Sequence, residues 1–364
     1  MTLNERNPSA STHWQHQLDR FCKQENLKGL ILSLYQERKD PIAWIGASGN
    51  LNKRQPYFIS GLAKLHIAAL LIKLKIRGKV NLDEPFRQYL TGPEYAGIGR
   101  RRGTDRTPTI TLKQLLTHQS GLPDYLQLPI GGEKKLKDEL FSRNDREWTF
   151  AEVLQVVRNT SSLSRPGASQ KPHPSETNFL LLGKVIEEVT ALSLEGALET
   201  FQTKPLAMTE TYVYKDPYDR TPTPFYNGNE AVQIPRAMAS FGAAGGMVST
   251  AQDCMNFLKS YLHGKFFPPS ELDVIFDWQR ESASLSHGLG ICRYQKPWYI
   301  LPWGKSQAII GQTGITGAFS FFVPDRHLYL TGTVNQSDRP LLPYKLARFI
   351  LHALSNTNQS PVIT

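Results

Sequence analysis

The chain has 364 residues and a formal net charge of +10, from 42 Lys and Arg against 32 Asp and Glu. Hydrophobic residues make up 40% and charged residues 20%, a globular balance with enough chain for one large domain or two intimate ones. The longest apolar run, Ile67 to Ile72, is far short of the roughly 20 residues needed to cross a bilayer. Ser11 or Thr12 can cap a first helix over His13 to Gln24, with Trp14, Leu18 and Phe21 on one face. Two strand-like runs follow, Leu27 to Tyr35 and Pro41 to Ala47, joined by a polar turn. Leu62 to Arg77 is then apolar nearly all the way round and closes on Gly78, the mark of a helix buried on most sides. Lys64 sits in its first turn, where a lysine needs a reason.

The middle of the chain reads as helical with long loops. Thr111 with Gln114 and Thr149 with Glu152 are capping boxes opening apolar runs. Helices are expected at Leu112 to His118, Phe150 to Arg158, Thr177 to Val189, Leu194 to Phe201 and Ala251 to Leu262. After about residue 285 the period changes to two. His287 to Tyr294, Ser306 to Gly311, Ala318 to Val323 and Leu328 to Asn335 read as strands, and a helix over Tyr344 to Leu354 ends the pattern. The expected fold class is therefore α+β: an antiparallel sheet flanked by N- and C-terminal helices, with a large helical insertion. Residues 1–60 and 283–364 would supply the sheet and its helices, residues 61–282 the helical region, with a cleft between them.

Met1 to Trp14 holds no apolar signal core, so the protein is expected to stay in the cytoplasm, or to be exported if a leader was removed. Cys22, Cys254 and Cys292 show no CxxC spacing and read as free, buried thiols with no metal role. A thiol nucleophile at Cys292 would need His287 beside it, which strand alternation does not require. The basic runs Arg100–Arg102 with Arg106, and Lys134, Lys135 and Lys137, lack interleaved aromatics and read as solvated loops. Neither a nucleic-acid partner nor a membrane is expected, and the oligomeric state is left open.

Five blocks in chain order carry a resemblance. They are Ile59-Ser60-Gly61-Leu62-Ala63-Lys64 before the buried helix, Leu115-Leu116-Thr117-His118-Gln119-Ser120-Gly121-Leu122-Pro123, Leu181-Leu182-Gly183 with Pro205-Leu206-Ala207-Met208, Gly245-Gly246-Met247-Val248-Ser249-Thr250, and Gln312-Thr313-Gly314. Together they resemble the serine β-lactamase and penicillin-binding-protein superfamily, in particular class C β-lactamases and DD-peptidases. The resemblance implies acyl transfer through a serine that opens a buried helix, a lysine one turn on, a tyrosine-x-asparagine motif, and a lysine- or histidine-led motif on the edge strand. In this chain the serine position is Gly61, which offers no atom to acylate. Lys64 remains. The second motif falls on Pro174-Ser175-Glu176 and the third on Gln312-Thr313-Gly314.

The expectation is a non-catalytic member that keeps a cleft for a small-molecule or peptide ligand, without a cofactor. Gly61, Ser175, Glu176, Gln312, Thr313 and Gly314 would line that cleft. The alternative is a hydrolase or acyl-transferring enzyme with displaced groups drawn from Ser60, Lys64, Ser175 and Glu176. A step from Gly61 to Ser60 turns the side chain by roughly 100° about a helix axis, away from Lys64. A weaker third reading is a scaffold that uses only the exterior of the fold.

Overall fold

A computed structural model describes residues 8–142, 144–168, 171–296 and 307–357. Its main sheet has eight strands, in the order Gln279–Arg280, Leu285–His287, Cys292–Tyr294, Ile309–Thr313, Ala318–Val323, Leu328–Thr333, Gly29–Gln36 and Ile42–Gly49. Every neighbouring pair is antiparallel. The expected α+β class is the one observed.

Strand alternation sets the layers. Leu30, Leu32 and Leu34 pack with Trp14, Leu18 and Phe21 of the helix Pro8–Gln24, and with Leu346 and Ile350 of the helix Leu342–Thr357. Ile31, on the opposite face of the same strand, joins the larger core around the helix Ala63–Ile76. Successive side chains of a strand point to opposite faces, so a strand with helices on both sides is buried nearly throughout. Ala63–Ile76 is buried around its whole circumference from Ala63 to Ile72, as its lack of a polar stripe requires. Both capping boxes form, at Thr111 and Thr149.

Several boundaries differ from the sequence reading, each for a local reason. The first helix is described from Pro8 and runs through Ser11 and Thr12, so neither of these is its cap. The expected strand His287 to Tyr294 is a hairpin whose arms are Leu285–His287 and Cys292–Tyr294. Gly290, at φ +67°, supplies the left-handed turn residue. The helix from Leu112 stops at Leu116, and the chain turns away with His118 at φ +58°. The helix from Leu194 stops at Leu198 and continues as a π-helical turn over Glu199–Thr203. The strand expected over Ser306 to Gly311 runs Ile309–Thr313, and Ser306 lies outside the described residues. No described helix is long and apolar enough to cross a membrane.

Candidate functional site

The chain enters the buried helix through a sharp bend. Tyr57–Phe58 pairs with Met247–Ser249 in a three-stranded sheet. Ser60 then takes a left-handed backbone, φ +45°, and Ser60–Leu62 forms a 3-10 turn ahead of Ala63. A non-glycine residue in that region carries backbone strain of order 1 kcal/mol. The bend is clamped by two glycines. Gly245 packs with its Cβ direction 3.4 Å from Ser60 Cα, and that of Gly314 points 2.6 Å from the Ile59 carbonyl oxygen. At the serine position itself, a Cβ on Gly61 would overlap the Thr313 carbonyl oxygen, well inside van der Waals contact. The end of the Ile309–Thr313 strand thus occupies the space that a nucleophile would need. Thr316 Oγ1 donates to the Phe58 carbonyl at 2.6 Å, and Gly314 N–H donates to the Ala318 carbonyl at 2.8 Å, so the blocking segment is held from both sides.

Lys64 reaches Glu176, with Nζ to Oε1 at 2.6 Å, and its side chain is 9% exposed. Glu176 is the first residue of the helix Glu176–Thr190, where the positive end of the helix dipole favours a carboxylate. Its second oxygen, Oε2, is buried with no protein partner. Asp124, which the sequence reading did not single out, completes the cluster: its Oδ1 accepts from Glu176 N–H and Leu126 N–H, both at 3.2 Å. Burial, reinforced by the neighbouring Glu176 charge, raises the Asp124 carboxyl from 3.8 to about 6, against the pull of the two N–H donors and Lys64. One cation thus serves two carboxyl groups.

A stability test follows from that shift. A raised carboxyl contributes its full stability below about 3.8 and loses it as the pH climbs through 6. Asp124→Asn keeps the accepting oxygen and removes the titration. It should match the parent at pH 4 and exceed it by about 1–3 kcal/mol at pH 7.5 in urea unfolding. An equal offset at both pH values would show that Asp124 ionisation is not the cause.

The other sequence-predicted residues are engaged with the protein itself. Ser175 Oγ donates to the Pro123 carbonyl at 3.1 Å and Ser175 N–H donates to His118 Nδ1 at 3.2 Å. His118 is a buried acceptor, pushed well below its ordinary range by desolvation and then by His287 and Lys64. The Gln312 amide donates to the Gly290 carbonyl at 3.3 Å, and its oxygen accepts from Thr313 N–H. Pro174 has no side-chain hydroxyl to relay a proton. Lys64, Glu176, Ser175 and His118 are therefore drawn together around Pro123–Asp124, while Ser60, Gly61, Thr313 and Gly314 form the closed junction beside them.

The register also brings together residues that the sequence reading left apart. His287 lies directly across the hairpin from Cys292. Cys292 Sγ is 3.5 Å from His287 Nδ1, and Glu281 Oε2 is 2.5 Å from His287 Nε2. The sequence signal was the paired glycines Gly288 and Gly290, which mark a turn and so force the two strand ends to face each other.

Residues 42–355 match the family model for β-lactamase. The chain is 27% identical over 298 residues to the D-alanyl-D-alanine-carboxypeptidase/endopeptidase AmpH of Escherichia coli K12, covering 79% of this chain and 72% of that protein. It is 25% identical to the protein PbpX of Bacillus subtilis over 66% of this chain, and spans about half of that protein's length, 54%. Among solved structures it is similar to a D-stereospecific amidohydrolase from a Streptomyces species, with TM-score 0.73 and 25% identity over 90% of this chain and 95% of that one. The fold is also that of the D-amino acid amidase of Ochrobactrum anthropi SV3, with TM-score 0.75 and 19% identity over 96% and 99% of the two chains. With the motif blocks in order, the buried helix behind the serine position and a family match over most of its length, this chain belongs to the β-lactamase family.

Proposed function

We propose that this protein does not acylate at its family's serine position, and that it binds an amine-bearing peptide or D-amino-acid amide beside Lys64 and Glu176. The observation that carries the first half is the Gly61–Thr313 junction: the serine position lacks a hydroxyl, and backbone fills the room for one. Around it, Lys64 is tied to a carboxylate and Pro174 replaces a hydroxyl-bearing residue. A lysine whose ammonium is engaged by Glu176 is poorly placed to take a proton from a nucleophile.

The ligand class rests on charge and on the relatives. Two carboxyl groups share one lysine, and the buried Glu176 Oε2 has no protein partner. A ligand ammonium supplies that partner with a charge-assisted hydrogen bond. AmpH is named for action on D-alanyl-D-alanine and the Ochrobactrum anthropi enzyme for action on D-amino acid amides, substrates built from such groups.

The test has two parts. Incubation with a fluorescent penicillin or a fluorophosphonate should leave the mass of the intact protein unchanged at Ser60. An adduct there that disappears in Ser60→Ala would establish a displaced serine nucleophile instead. Calorimetric titration with D-phenylalanine amide should give saturable binding that Glu176→Gln weakens about tenfold. Binding unaffected by that change would remove Glu176 from the site.

A further inference from the structure

The three cysteines differ sharply in their surroundings. Burial pushes the Cys22 thiol up, and pushes the Cys254 thiol up to about 11. Cys292 alone has an imidazole against its sulfur, His287 Nδ1 at 3.5 Å, and that ring is held at its other nitrogen by Glu281 at 2.5 Å. Desolvation would push His287 down, but the Cys292 sulfur and the Glu281 carboxylate overcome it and hold the imidazole up at about 9. The hairpin register explains why the geometry is fixed. Cross-strand partners project their side chains to the same face at close range, and His287 and Cys292 are such partners. Glu281 N–H in turn donates to the Leu285 carbonyl at 3.0 Å, which anchors the carboxylate at the base of the same hairpin.

We propose that Cys292 is a nucleophilic thiol activated by His287 and positioned through Glu281, a reactive centre apart from the blocked serine position that takes acyl groups from small activated esters. His287 Nδ1 takes the thiol proton as the Cys292 sulfur attacks the ester carbonyl carbon. As the C–S bond forms, the C–O bond to the alcohol breaks, and the alcohol leaves with the proton from His287 Nδ1. A thioester remains on Cys292. Water then cleaves it, giving its proton to His287 and releasing the acid, which regenerates the thiol. A thiol–imidazole pair with the ring's far nitrogen held by a polar group is the general arrangement for activating such a nucleophile.

The charged and titratable groups around the pair act in known directions. Cys292 and Glu281 favour the imidazolium, while His118, with its ring centroid 5.5 Å from that of His287, is kept neutral by burial. Lys171 and His173 lie on the Glu281 side and hold that carboxylate down, after the His287 hydrogen bond. Tyr344 feels the Cys292 charge from the terminal helix.

The decisive measurement is the pH dependence of alkylation by iodoacetamide, with the modified residue mapped by peptide mass. An ordinary thiol titrating near 8.5 loses about 50-fold in rate between pH 8.5 and 6.5. Cys292 in the folded protein should fall less steeply than that, and should label ahead of Cys22 and Cys254. Glu281→Gln and His287→Gln should each restore the steep profile while their circular dichroism and urea unfolding midpoint stay those of the parent, which separates the loss of the pairing from a loss of packing. Incubation with p-nitrophenyl acetate should add one acetyl group, mapped to Cys292 and absent in Cys292→Ala. A steep profile in the unmodified protein, or label placed on another cysteine, overturns the proposal even if the variants fail to fold. The peptide map separates this outcome from a penicillin adduct at Ser60, which bears on the non-acylating reading alone.

Discussion

Replacing Lys64 with methionine should cost about 3–5 kcal/mol of stability, the largest loss expected from a single change in the site. The reason is what remains behind. Glu176 Oε1 loses its 2.6 Å partner, Oε2 already has none, and Asp124 adds a second carboxyl group to the same pocket. Methionine fills the aliphatic part of the lysine volume, so packing around the helix Ala63–Ile76 is preserved and the loss is electrostatic. The double variant Lys64→Met, Glu176→Gln removes the stranded charge as well. It should recover more than half of the loss, because a buried pair replaced on both sides is often close to neutral. Urea unfolding of the parent, the double variant and the two single variants Lys64→Met and Glu176→Gln at pH 7.5 gives the coupling energy directly. A Lys64→Met loss below 1 kcal/mol would mean that water reaches the pair and that Lys64 is not committed to Glu176.

Much of this architecture was legible in the sequence because it depends on local periodicity. The boundaries Phe150–Arg158, Ala251–Leu262 and Ala318–Val323 follow from a capping threonine or a run of alternating apolar residues. The absent nucleophile could be read at Gly61 because the motif places it three residues before Lys64. What could not be read depends on long-range packing. Nothing near Gly61 in sequence reveals that Thr313, some 250 residues on, closes against it. Nothing around Asp124 in the sequence marks it, and only burial and the return of Glu176 beside it give its carboxyl a reason to shift. The sequence offers Cys292 and His287 as a pair, but one continuous strand over His287 to Tyr294 does not require them to meet; the hairpin does, and it brings Glu281 to the same ring.

Restoring the missing hydroxyl with Gly61→Ser should give no acyl-enzyme and a less stable protein. A serine brings its Cβ into the Thr313 carbonyl, a backbone atom of a sheet strand that cannot swing aside as a flexible side chain would. The strand is tied by the pairing of Thr313 with Phe319, by Gly314 to Ala318, and by Thr316 to Phe58. Relief therefore requires shifting the strand end or the bend at Ser60, at a cost of about 1–3 kcal/mol. Even after such a shift, the new hydroxyl would face a lysine bound to Glu176 and a second motif led by Pro174. The expected result is a lowered unfolding midpoint with no mass increase after exposure to a penicillin. Adding Glu176→Asn to Gly61→Ser frees Lys64 and separates that obstacle from the junction and Pro174. If the double variant still forms no adduct, the lysine pairing is not the dominant barrier. Acylation of the single variant, by contrast, would show that the junction opens readily and that the missing side chain was the only defect.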